Sequence, residues 1–210
     1  MQIGLMGGTF DPIHYGHLFI AEAARAECGL ERVLFFPNNQ PAPVLNKAKP
    51  TDGEIRLRMV ELAIAGNEYF ESSRVELDRP GPSYAIDTVL QLQRENPDAQ
   101  LHYIVGADSI GEVLTWHRGA ELFNHCRFVA GARPGFDFAI ARERLSPRQL
   151  ERVTFLEIPG LHIASRDLRS RVQENQPIRY LVPEAVHREI ENLSLYRAVA
   201  PTGEHHSRNH

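Results

Sequence analysis

The chain has 210 residues, room for one domain with a well-buried core, and its 42% apolar and 24% charged residues are ordinary for a globular fold. A formal net charge of −4 argues against a general nucleic-acid binder, which presents a basic face. No apolar run reaches membrane-spanning length and the first residues lack the pattern of a signal peptide, so a cytoplasmic protein with no membrane or nucleic-acid partner is expected.

"QIGLM" (2–6) is a short apolar run stopped by Gly7-Gly8, which predicts a buried strand. A helix is predicted over about 16–28, with Leu18, Ile20, Ala21 and Ala24 apolar and Gly29 as its stop. "RVLFFP" (32–37) predicts a second strand closed by proline, and 38–53 reads as a long loop of the kind that is usually functional or mobile. "EIRLRMVELAIAG" (54–66) has helical spacing through Leu57, Val60, Leu62 and Ile64, ended by Gly66. "YFESSRVEL" (69–77) predicts a strand, "DRPGPS" (78–83) a turn with Ser83 as helix cap, and "YAIDTVLQLQREN" (84–96) the helix it starts. Three more strands are predicted at 101–108, 126–134 and 153–159, then helices near 166–174 and 183–193.

This alternation predicts an α/β fold with a mainly parallel sheet flanked by helices, and no internal repeat is present. A single domain over 1–197 is expected, with a C-terminal helical segment at about 165–193 and a disordered polar tail at 198–210. Such sheets bind ligands at the carboxyl ends of their strands, where 7–17, 37–49, 106–108 and 160–169 all fall. Cys28 and Cys126 form no CxxC pair and read as reduced thiols. Of 23 basic residues only Lys47 and Lys49 are lysines, which fits either an arginine-biased proteome or a flexible charge kept near a phosphate.

The stretch "GGTFDPIHYGH" (7–17) carries most of the chemistry. Gly7 and Gly8 allow a sharp turn and close approach of a ligand to the main chain. The helix that follows offers unpaired N–H groups and a partial positive charge, which suit phosphate. His14 and His17, three apart at its mouth, can face one ligand. An HxxH pair alone also fits a capping or metal role, but no neighbouring Cys, Asp or Glu completes a zinc set, and no protein-held metal is expected.

In its full context the stretch resembles the (H/T)xGH motif of the nucleotidyltransferase superfamily. As GGTFDPxHxGH it is similar to bacterial nicotinate mononucleotide adenylyltransferases. The resemblance spans most of residues 2–197 and recurs at "GPSYAIDT" (81–88), "GADS" (106–109), "TWHR" (115–118), "HIASRDLRSR" (162–171) and "IRYLVPEAVHREI" (178–190). It implies a Rossmann-like nucleotidyltransferase fold and adenylyl transfer from ATP, accompanied by Mg²⁺, to nicotinate mononucleotide in NAD synthesis. It implies that Gly7, Gly8, Thr9, Phe10, His14, His17, Gly106, Asp108, Ser165 and Arg169 handle ATP, the two histidines being catalytic. Tyr84, Ala85, Trp116, His117 and Lys47 would take the mononucleotide, Trp116 by stacking on the pyridine ring.

A phosphate monoester is largely ionised near neutral pH, so this reaction needs no strong general base. Positioned donors, cations and Mg²⁺ suffice, and the histidines are read as phosphate ligands and transition-state donors. Three positions depart from the family pattern. Ala85 stands where threonine is frequent, Ala164 where a first serine is common, and "PAPVLNKAKP" (41–50) lacks a usual histidine and leaves Lys47 and Lys49 as alternative phosphate contacts. Amide-form nicotinamide mononucleotide or phosphopantetheine adenylyltransfer, and a regulatory module without catalysis, stay open as alternatives.

Overall fold

The computed structural model describes residues 1–39, 49–132, 137–159 and 162–197. Six strands form one sheet: β1 (Gln2–Gly8), β2 (Arg32–Pro37), β3 (Phe70–Ser72), β4 (Gln100–Gly106), β5 (Arg127–Ala132) and β6 (Val153–Glu157). Their order is β3-β2-β1-β4-β5-β6 with every pairing parallel. The helices are α1 (Tyr15–Cys28), α2 (Gly53–Ile64), α3 (Ala85–Glu95), α4 (Ala107–Ile110), α5 (Gly119–His125), α6 (Ala139–Arg144), α7 (Pro147–Leu150), α8 (Ser165–Gln173) and α9 (Glu184–Asn192). Among the described residues no helix is long and apolar enough to cross a membrane.

Alternation along the strands sends side chains to two faces, each with its own core. Ile3 and Leu5 of β1 join Leu34, Phe36, Tyr103 and Phe128 under α3 and α5. Met6 joins Val33, Phe35, Ile104 and Val129 under α1, α2, α8 and α9. The strand order reverses between β1 and β4, which opens a crevice at their carboxyl ends. Gly29 ends α1 as predicted, in the left-handed region at φ 58°.

Several local expectations differ from what forms. The strand expected over 69–77 is only Phe70–Ser72, because Ser73 N–H makes the last bond to Phe35 O and the chain then turns. The turn is held from α3: the buried Glu76 carboxylate accepts from Thr88 Oγ1 at 2.7 Å, and Arg79 donates to Thr88 and Gln91. Ser83 does not cap α3; its Oγ accepts from Asn39 N–H at 3.0 Å and Tyr84 is the cap residue, with no side-chain bond. Ala107 and Asp108, read as the end of a strand, are the first turn of α4. The short helices α4 to α7 were not anticipated. Lys47, nearly all of the 41–50 stretch and the 198–210 tail lie outside the described residues.

Candidate active site

The site starts where β1 runs out. A Cβ on Gly7 would lie 2.5 Å from the Phe36 ring and 2.8 Å from the Tyr103 hydroxyl, so only glycine fits there. Two residues past the strand Phe10 takes φ 50°, with its ring buried against Phe35 and edge-on to His17. Phe10 therefore offers a ligand its main chain and not its side chain.

Four carbonyls of this loop are taken from behind. Gly8 O accepts from Asn38 N–H at 3.0 Å, and Thr9 O from Arg56 Nη1 at 2.8 Å. Asp11 O accepts from Arg169 Nη1 at 2.7 Å, and Pro12 O from Ser165 Oγ at 2.8 Å. With these four acceptors turned into the protein, the N–H groups of Thr9 and Phe10 have no backbone partner among the described residues, and neither residue lines the cavity that the histidines border.

His14 is the N-cap residue of α1, and its ring stacks on that of His17 with centroids 3.7 Å apart. His14 N–H donates to His17 Nδ1 at 3.3 Å. A neutral His17 must then carry its proton on Nε2, as a donor. Burial pushes His14 down to about 4; burial, then the neighbouring His14, holds His17 well below the usual histidine value. Without ligand both rings are thus neutral at pH 7 and act as N–H donors, not as fixed cations.

Gly16 explains the glycine between the histidines. A Cβ there would meet His14 Nδ1 at 3.0 Å and Cε1 at 3.1 Å, and the His17 stack blocks retreat of the ring. Gly16→Ala is expected to stabilise the helix by up to about 1 kcal/mol while displacing His14. Turnover should fall about tenfold, since misplacement on the ångström scale costs up to about a hundredfold. Thermal melting beside steady-state kinetics checks that the two effects have opposite signs.

His14, Gly16 and His17 line a cavity of about 460 Å³ together with Gly106 and Asp108, walled by Gly131, Ala132, Ile158, Pro159, Ile163 and Ala164. Gly106 keeps it open, because a Cβ there would meet nothing within 4 Å and would project into free space. Asp108 is exposed at its rim on α4.

The other expected substrate residues form a second cluster and do not line this cavity. Trp116 lies half-buried against Tyr103 with ring centroids 6.0 Å apart, and Tyr84 meets His117 at 4.3 Å. This cluster belongs to the α3/α5 face, whereas Phe10 and α1 belong to the other, so the two lie on either side of the β1 and β4 ends. Ser165 and Arg169, expected on ATP, point to the loop backbone; Ser165 is the first residue of α8 and not its cap, a place taken by Ala164. Among the described residues no group of three or more His, Cys, Asp and Glu side chains gathers as a metal site.

Two side chains central to this arrangement were not singled out in the sequence. Arg56, 1% exposed, donates to Thr51 O, Thr9 O and Asn38 O. Its spacing ahead of the buried Met59 and Val60 was a usable signal, placing it on the inner face of α2. Tyr196, which reaches Asp11, had no such signal.

A parallel sheet reversed at β1 and β4, with a histidine pair at the head of α1 facing the reversal, defines a nucleotidyltransferase domain. The chain belongs to the cytidylyltransferase-like family, whose model matches residues 5–184, and its relatives are nicotinate-nucleotide adenylyltransferases. A protein of Moorella thermoacetica named "Probable nicotinate-nucleotide adenylyltransferase" is 48% identical over 200 residues, covering 93% of this chain and 92% of the relative. One of the same name from Desulfitobacterium hafniense is 42% identical over 199 residues, covering 93% and 96%. In fold, the chain is similar to the Plasmodium falciparum nicotinic acid mononucleotide adenylyltransferase complexed with NaAD, with a TM-score of 0.76 at 18% identity over 93% of this chain and 97% of that one.

Proposed function

We propose that this protein transfers the adenylyl group of Mg·ATP to nicotinate mononucleotide, releasing pyrophosphate and nicotinate adenine dinucleotide for NAD synthesis in the cytoplasm. The observation that carries the reading is the stacked His14–His17 pair lining the crevice at the strand-order reversal. A nucleotidyltransferase domain over 1–197 houses the reaction.

An ionised phosphate oxygen of the mononucleotide attacks the α-phosphorus of ATP. The new P–O bond forms as the bond to the β-phosphate oxygen breaks, and pyrophosphate leaves with the electron pair. Charge grows on the bridging and non-bridging oxygens, where His17 Nε2–H and His14 donate. The loop 7–10 and Gly106 hold the ATP phosphates and sugar, and Asp108 accepts from a ribose hydroxyl. Arg169 and Ser165 hold the loop, and Arg169 has further donors for a phosphate. Mg²⁺ arrives as part of the substrate, keeping waters of its own.

The mononucleotide lies across the strand ends toward Trp116, whose ring stacks on the pyridine. Because Tyr84 provides no side-chain cap, the first N–H groups of α3 at Ala85 remain for the nicotinate carboxylate. A main-chain contact is indifferent to the alanine at 85.

Pyrophosphate release with Mg·ATP, compared across nicotinate mononucleotide, its amide form and phosphopantetheine, tests the reading. Clear preference for the acid form is expected. Preference for the amide would overturn the carboxylate site, and ATP binding without release from any acceptor would overturn catalysis.

A further inference from the structure

We propose that Tyr196, near the end of the described chain, is a positioning residue for the loop that holds the ATP phosphates, acting through Asp11. The inference rests on the adenylyl-transfer reading and adds to it a residue no motif contains.

Asp11 is 5% exposed and does not line the cavity, so its carboxylate is not a substrate contact. Both oxygens are occupied: Oδ1 accepts from the Tyr196 hydroxyl at 2.6 Å and Oδ2 from Thr51 N–H at 3.1 Å. Its main-chain carbonyl takes Arg169 as well. One residue thereby joins the β1–α1 loop, the segment ahead of α2, α8 and the segment after α9.

The chain reverses sharply to bring Tyr196 there. Past α9, Leu195 N–H returns to Ile190 O at 3.0 Å, and Ser194 and Tyr196 take φ 51° and 62°. Such backbone is uncommon for side chains other than glycine and persists where surroundings over-determine it. Leu195 and Tyr196 pack on the core beneath α2 and α9, which supplies that constraint.

Loss of the hydroxyl leaves a buried carboxylate oxygen without its donor. Asp11 then shifts to find water, and the peptide units on either side move with it. Those units lead on one side to Phe10 and Thr9 and on the other, through Pro12 and Ile13, to His14, which lines the cavity. Trp116 belongs to the opposite face of the sheet and is not moved, so the effect is confined to ATP.

The test is Tyr196→Phe, with Mg·ATP affinity measured by calorimetry and KM for both substrates measured well below the melting temperature. ATP affinity is expected to fall about tenfold, and KM for nicotinate mononucleotide to stay within about twofold. Asp11→Asn is the second variant, keeping size while removing a negative charge near the phosphates. A role through charge alone predicts tighter ATP binding in that variant, whereas positioning predicts weaker. ATP affinity within twofold of wild type in Tyr196→Phe, or tighter in Asp11→Asn, overturns the proposal. If Tyr196→Phe does not fold, Asp11→Asn decides. Because the calorimetric ATP affinity needs no turnover, that readout stands even if the wild-type chain fails to adenylylate nicotinate mononucleotide, so the two failures are distinguishable.

Discussion

His17→Ala is expected to lower kcat for pyrophosphate release by about 10²–10³ while the protein stays folded, the loss typical for a single transition-state donor. The size follows from how completely His17 is positioned. Its Nδ1 is tied to His14 N–H, one face lies against the His14 ring, and the Phe10 ring stands nearly perpendicular to it at 5.1 Å. The Nε2–H therefore needs no reorganisation as charge develops on the α-phosphate. The alanine variant also loses the bond from His14 N–H and the ring contacts, so a stability loss of about 1–2 kcal/mol accompanies the change. Steady-state kinetics on folded protein, with circular dichroism confirming the fold, separates the two effects. An unchanged kcat in a folded variant would remove His17 from the chemistry; loss of activity only in step with unfolding would make it structural. The KM for ATP should move less than kcat, since the donor acts most where charge is greatest.

How much of this was legible beforehand depended on whether local pattern or distant contact decided the matter. The strands at "QIGLM", "RVLFFP" and "VTFLEIP" read correctly because apolar runs bounded by Gly and Pro leave little else for a buried segment to do. The histidine pair was placed at the head of α1 by the same local logic. "YFESSRVEL" misled because its alternation suits a strand, while the buried Glu76 and its bond to Thr88, 12 residues on, bend the chain away after Ser72. Ser83 and Ser165 carry good capping chemistry, yet Asn39 N–H and Pro12 O claim them across 44 and 153 residues. The four short helices between β4 and β6 are too brief to show a helical period. That the Asp11 carboxylate takes Tyr196, 185 residues away, is a fact of topology that no window of sequence contains.

Arg56 presents the same lesson in energetic form. Arg56→Met is expected to destabilise the protein by about 3–5 kcal/mol, the range for breaking up a buried charged network. The guanidinium donates from Nε to Thr51 O at 2.7 Å, from Nη1 to Thr9 O at 2.8 Å, and from Nη2 to Asn38 O at 2.7 Å, and it is almost wholly out of water. Burial lowers its basicity, and the charges of Asp11 and Asp52 act in the opposite sense. Methionine fills much of the volume but strands three carbonyls, each costing about 1–3 kcal/mol if left dry. Relaxation toward water is what keeps the total below their sum. Lysine supplies a charge without the planar fork and cannot serve three diverging acceptors, so Arg56→Lys should fall between wild type and methionine. Urea unfolding of the three proteins gives the order directly, and equal midpoints for lysine and arginine would show that charge, not the fork, matters. Against a typical total of about 5–15 kcal/mol the methionine variant is left marginal. Mg·ATP should recover part of its stability, because a ligand that binds only the folded state adds its own binding free energy. That recovery should be smaller than for wild type, since freeing Thr9 O loosens the loop that the phosphates require.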